Sequence, residues 1–225
     1  MHLHPSFDYI NPCNRNQRLN YDSSYRNLPV MQEKGPMIES YLESLCRVLD
    51  NTLADYPRVC GFRFDLHFPW RMHAEDDLID NQVISRFIDS LKAKIKHNRM
   101  LARQNNTTFH DTKLRYVWAR EVGDGNRVHY HVALLCNRDA YFSMGNFVSD
   151  IPNMSQRIHE AWASALGLPQ GHAIGLVHVP QNAVYRFSRD DTSGAAAFFF
   201  RASYLCKANT KNFGLGHHGF GTSRQ

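Results

Sequence analysis

The residues with the most chemistry to offer lie in one short segment, EVGDGNRVHYHV, running from Glu121 to Val132. In an extended strand alternate side chains share a face. His129 and His131 therefore point one way, while Val128, Tyr130, Val132 and Leu134 point the other. The apolar set suits packing on helices, which leaves the two imidazoles together on the opposite face. The GDGN between two strand-like runs signals a β-hairpin. With the turn centred on Gly125, Glu121 falls directly across from His129, Cβ atoms about 4.5–5.5 Å apart. Two imidazoles and a carboxylate with positions left open make a site for Mg²⁺ or Mn²⁺. Its use would be to polarise a phosphate oxygen. The pair alone says little, because 13 His in 225 residues give about one H-x-H by chance. A register slip of one residue would send Glu121 to the wrong face.

A second constellation lies in AAAFFFRASYLCKAN, Ala195–Asn209, where Tyr204 and Lys207 stand three residues apart, on adjoining faces of a helix. A phenol hydroxyl is a weak nucleophile unless a nearby cation favours the phenolate. Attack by tyrosine on a metal-polarised phosphodiester would leave a phosphotyrosine link and a free sugar hydroxyl. A core tyrosine beside a surface lysine is the plain alternative.

These residues need elements to position them. Apolar positions Tyr41, Leu42, Leu45, Val48, Leu49 and Leu53 follow helical spacing up to Pro57. Arg58–Phe68 reads as a strand stopped at Pro69. A second helix is expected from near Asp77, with the stripe Ile84, Phe87, Ile88, Leu91 and Ile95. Leu114–Val122 and Val128–Cys136 are the hairpin strands. A helix over Asn153–Leu166, a short strand over Ile174–Val179, a helix over Gly194–Asn209 and a loop from Phe213 complete the reading. The fold class is α+β, with a central antiparallel sheet flanked by helices. Residues 1–35, polar and carrying Pro5, Pro12 and Pro29, read as an arm or loosely packed lead-in to a domain over 36–225.

Hydrophobic content of 43% supports a real core. No apolar run reaches the roughly 18 residues that span a bilayer, and the N-terminal stretch has no apolar signal core. The five cysteines are scattered, without a C-x-x-C, which argues against a disulfide framework or structural zinc. A reduced, cytoplasmic setting is expected. Net charge is +5, concentrated in two places. Residues 86–120 hold nine Lys or Arg against Asp89 and Asp111, and from Thr192 onward there is no Asp or Glu. Nucleic acid is the polyanion such segments suit; a solvated basic helix face is the alternative. The candidate DNA contacts are Lys92, Lys96, Arg99, Arg103 and Lys211.

GFRFDLHFP, EVGDGNRVHYHV and SYLCK, in that order, resemble motifs one, two and three of rolling-circle replication initiators, the HUH endonucleases. Over roughly residues 35–225 the chain is similar to the inovirus and prophage replication-protein family with the YagK/YfjJ C-terminal domain, the FGTSR near its end included. The resemblance implies a sheet of about five strands (HUH endonuclease, ferredoxin-like type) with Glu121, His129 and His131 as metal ligands. It also implies Tyr204 as nicking nucleophile, with Lys207 supporting the tyrosine or positioning DNA. Phe200, one helical turn before, places the chain with single-tyrosine enzymes. His67 stands where a small hydroxyl residue is usual in motif one, as a further ligand, a phosphate contact or a buried strand histidine. The implied activity is metal-dependent nicking and strand transfer on single-stranded or hairpin origin DNA in the cytoplasm of a bacterial host. No G-x-x-x-x-G-K-[ST] phosphate loop is present, so unwinding would fall to a host helicase and synthesis to a host polymerase. Two other readings stand beside it: a DNA-binding regulator that no longer cuts, and a metal hydrolase that uses water.

Overall fold

The computed structural model describes residues 9–70, 81–106, 108–123, 126–145, 152–169, 171–209 and 218–224. Its centre is an antiparallel sheet whose longest strands are β6 (Arg58–His67), β7 (Arg115–Gly123) and β8 (Arg127–Asn137). β10 (Val184–Ser188) and β11 (Phe220–Thr222) close the two sides, giving the order β10-β6-β8-β7-β11. The two-residue β9 (Val177–His178) also pairs with β6, so six strands take part. The α+β class with helices flanking an antiparallel sheet is what the sequence pattern predicts.

Helices cover both faces. α2 (Asn81–Asn105) and α3 (Met154–Ala165) lie on one side, burying Phe87, Leu91 and Trp162 against Phe62, Phe64, Tyr130 and Val132. α1 (Glu39–Asp55) and α4 (Thr192–Ser203) lie on the other, burying Leu45, Leu49, Phe198 and Phe199 against Val59, Val117, Ala133 and Leu135. With both faces covered, the middle strands are buried nearly throughout rather than alternating. α1 ends at the extended Tyr56 just before Pro57, as the restricted backbone preceding proline requires. α3 opens on a capping box in which Asn153 and Gln156 satisfy each other's backbone N–H.

Four expectations change. α4 stops at Ser203, and Tyr204–Cys206 form a 3-10 turn, so the helix is shorter than the predicted Gly194–Asn209. Lys207 then leaves the helix at ψ 140 and bridges to Met37. The strand expected at Ile174–Val179 is reduced to β9. The tail read as loop contributes β11. The segment before residue 36 carries β1 (Ile10–Asn11), β2 (Asn14–Asn20), β3 (Ser24–Tyr25) and β4 (Leu28–Pro29). Its Leu19, Val30 and Met31 are buried, and the Met31 N–H donates to Ser203 Oγ. β5 (Met37–Ile38) pairs with β2 and runs directly into α1. The predicted start of the second helix, Asp77, lies outside the described residues. No described helix is long and apolar enough to cross a membrane.

Candidate metal centre

The site grows out of strand parity. Glu121 on β7 is paired with His129 on β8, the register expected from the sequence. Glu121, His129 and His131 emerge on the α1/α4 face, while Tyr130 and Val132 fill the core beneath α2 and α3. Their donor atoms lie within 4.8 Å of one another. His129 Nε2 is 3.2 Å from His131 Nε2, which is 3.1 Å from Glu121 Oε2. Ligands at right angles around a cation, each at about 2.1–2.2 Å, stand roughly 3.1 Å apart. The three side chains thus hold near-ligating separations, and their chemistry fits a first-row divalent cation better than Mg²⁺, which favours oxygen.

β6 supplies a second layer, of which sequence reasoning singled out His67 but neither Arg63 nor Asp65. Arg63, Asp65 and His67 share the face of the histidines, because β6 pairs with β8 in the register Asp65↔His131 and His67↔His129. Asp65 Oδ1 lies 2.5 Å from His131 Nδ1, and Arg63 Nη2 lies 2.8 Å from the same nitrogen. A carboxylate only accepts and a guanidinium only donates, so Nδ1 serves one of them. The shorter contact is Asp65, and an Nδ1–H donated there leaves Nε2 as a lone pair aimed at Glu121 and His129. This is the carboxylate–histidine arrangement that orients metal ligands. Burial pushes the Asp65 carboxyl up, but the hydrogen bond from His131 and the charge of Arg63 outweigh it and hold it well below the usual carboxylate range. Burial, reinforced by neighbouring His131, pushes His129 down to about 4, so its imidazole is neutral at pH 7.

Tyr204 and Lys207 reach the same cluster from the turn after α4. The Tyr204 ring meets His131 edge-on at 5.0 Å between centroids. Lys207 Nζ donates to the Tyr204 hydroxyl at 2.5 Å and to Glu121 Oε2 at 2.9 Å. The Lys207 backbone is fixed by its bridge to Met37 and by the neighbouring Ala208 N–H, which donates to Pro36 O. Tyr204 is half-exposed, whereas Glu121, His131 and Lys207 are buried. His67 is half-buried, its ring stacked 5.6 Å from that of His129, and it stands outside the group of donor atoms that lie within 4.8 Å of one another. At the rim, Trp70 is 77% exposed, with the Arg127 guanidinium over its ring.

The predicted DNA contacts are placed elsewhere. Lys92, Lys96, Arg99 and Arg103 lie on α2, across the sheet from Glu121, His129 and His131. Arg99 is engaged locally, with Asn98, the His110 carbonyl and the Tyr141 ring. Lys211 lies outside the described residues.

Fold and site together define an α+β domain with a candidate divalent-metal centre on one face of an antiparallel sheet, served by a tyrosine and a lysine. The chain belongs to the YagK/YfjJ C-terminal domain family, which matches residues 21–223. It is 33% identical over 198 residues to the uncharacterized protein YagK of Escherichia coli K12, an overlap of 84% of this chain and 95% of that protein. It is 32% identical over 203 residues to the uncharacterized protein YfjJ of the same organism, covering 85% and 97%. No solved structure matches the chain.

Proposed function

We propose that this protein is a metal-dependent endonuclease of the HUH type, which nicks single-stranded DNA through Tyr204 and so starts rolling-circle replication of a phage or prophage element. The observation that carries the reading is the position of Lys207. Its ammonium ties the Tyr204 hydroxyl to Glu121, so nucleophile and metal-donor set form one cluster.

Glu121, His129 and His131 would hold the cation, Mn²⁺ in preference to Mg²⁺. When bound, it supplies Lewis-acid polarisation of a phosphate oxygen. Asp65, itself paired with Arg63, keeps the His131 ring oriented. Lys207 stabilises negative charge on the Tyr204 oxygen as the phenol loses its proton to solvent. That oxygen bonds to phosphorus, and the ester bond to the leaving sugar oxygen breaks. The sugar oxygen takes up a proton, so one phosphate ester is exchanged for another and no water is consumed. The retained ester energy lets a later strand hydroxyl reverse the step, which is strand transfer.

The test is a denaturing gel of labelled single-stranded origin DNA incubated with protein and Mn²⁺. A covalent protein–DNA adduct that disappears in Tyr204→Phe supports the reading. Cutting that survives Tyr204→Phe points to water as nucleophile. A regulator that binds origin DNA without cutting is the second reading. The buried Lys207–Glu121 ion pair favours it, since a resident ammonium already neutralises the carboxylate. Binding with neither adduct nor cleavage in any divalent metal would establish it.

A further inference from the structure

On the far side of the sheet from the metal centre, α2 and the edge formed by β7 and β11 enclose an open groove of about 1330 Å³. Lys92, Lys96, Arg99 and Arg103 follow helical spacing of four, three and four, so they form one stripe along its wall. Lys94, off that stripe, pairs instead with Glu160 of α3. Eleven residue-to-residue rises along the helix make the stripe about 16–17 Å long. Lys113, Arg47 and Arg224 add charge from the other walls, and Asp111 is the one carboxylate among the described lining residues. Among the described residues, none of Lys92, Lys96, Arg103 and Lys113 forms an ion pair with a carboxylate.

Aromatic rings alternate with these cations. The Lys92 ammonium sits 5.3 Å from the centre of the Tyr116 ring, and the Arg103 guanidinium 5.5 Å from that of exposed Phe109. Half-buried Trp118 forms floor beside Gly221, where a Cβ would come within 2.5 Å of the indole. The bare glycine leaves room for the indole against the edge strand. A merely solvated helix face would carry compensating acids, yet Asp89 is the sole acidic residue of α2. Cations that track a backbone, interleaved with ring faces that accept bases, are what binding an unpaired strand requires.

We propose that this groove is a strand-holding site for single-stranded DNA, separate from the metal centre, in which Tyr116, Trp118 and Phe109 stack bases while Lys92, Lys96 and Arg103 contact phosphates. Its lining passes the β11 edge to Phe220 and to Arg47 of α1, so a bound strand is led around the sheet toward the face that carries Tyr204. The inference deepens the nicking reading and rests only on its nucleic-acid part.

The test uses the full chain as Tyr204→Phe in EDTA, with fluorescence anisotropy of a labelled 20-nucleotide single strand across a salt series. The combined variant Lys92→Ala, Lys96→Ala, Arg103→Ala is expected to bind at least tenfold more weakly. Its slope of log affinity against log salt should flatten by about 2, at roughly 0.7 per lost phosphate contact. Phe109→Ala, a surface change, is expected to weaken binding about 5- to 100-fold with the slope unchanged. A duplex of the same sequence, and the same strand as RNA, should compete less well. Unchanged affinity and slope in the triple variant, with adduct formation by the wild type intact, overturns the groove alone. Groove-dependent binding without any adduct overturns the nicking reading alone. Preference for duplex or RNA overturns the proposed ligand.

Discussion

Asp65 lies 2.5 Å from the Nδ1 of His131, which fixes the ring whose Nε2 faces Glu121 and His129. Asp65→Asn keeps the shape and removes the charge. It is expected to lower Mn²⁺ affinity about 10- to 100-fold, the usual effect of losing such a partner. Isothermal titration calorimetry reads this directly, and unchanged affinity would show that Asp65 does not orient a ligand.

Mn²⁺ binding should stabilise the fold. At a hundred times its Kd a ligand adds about 2.7 kcal/mol, which for a chain this size raises Tm by roughly 5–10 °C. His129→Ala, His131→Ala and Glu121→Ala should each remove that shift, and Mg²⁺ should give a smaller one in the wild type. A thermal melt with and without metal decides it; equal shifts in wild type and variants would place the ion elsewhere.

Lys207 and Glu121 are 6% and 3% exposed, so their ion pair is shielded from water. Removing one partner of a buried pair costs about 3–5 kcal/mol, because the remaining charge is uncompensated. Lys207→Met should show that loss in urea denaturation without metal. Saturating Mn²⁺ should recover part of it, since a cation on Glu121 replaces the missing charge. A loss indifferent to metal would separate Lys207 from the metal centre.

The parts of this site that could be read from sequence are those set by local geometry. A tight hairpin fixes how Glu121 meets His129, and strand parity puts His129 and His131 on one side, so neither needs knowledge of the rest of the chain. Asp65 and Arg63 could not be placed this way. Their role depends on β6 pairing with β8 across more than sixty residues, and only that register turns an alternating RFDLH into partners of His131. Parity within GFRFDLHFP, which groups Arg63, Asp65 and His67, was the available signal. The stripe on α2 is visible as a helical period, but nothing local says which sheet face the helix covers. β11 and the N-terminal strands are two to seven residues long and lack apolar alternation, so their pairing is decided by packing partners.

The thiols give a pH test of the core. Burial pushes Cys46 up to about 11 and Cys60 up to about 12, and raises Cys136 well above its ordinary value. These groups stay protonated at pH 9, and the thiolate is the reactive form. Native protein should therefore react with an alkylating agent at exposed Cys13 alone, with no further thiol recruited between pH 7 and 9. Denaturant should release all five. Mass spectrometry of the labelled chain checks this, and rapid native labelling of Cys60 or Cys136 would show that the α2/α3 side opens.

Gly61 of β6 bears on where Tyr204 sits. A Cβ at this position would lie 2.6 Å from Phe198, a buried ring of α4. The ring cannot yield easily, since it also packs against Tyr185 and Phe187. Gly61→Ala must then push α4 outward, at about 1–3 kcal/mol of overpacking. α4 leads without a break into the turn that carries Tyr204, whereas Glu121, His129 and His131 stand on β7 and β8. The substitution should move Tyr204 and leave Glu121, His129 and His131 in place. Expected are unchanged Mn²⁺ affinity and a fall of at least tenfold in covalent adduct formation, measured below the variant's Tm. Parallel loss of both would mean that the strain spreads through the sheet, and loss of neither would mean that α4 does not set the position of Tyr204.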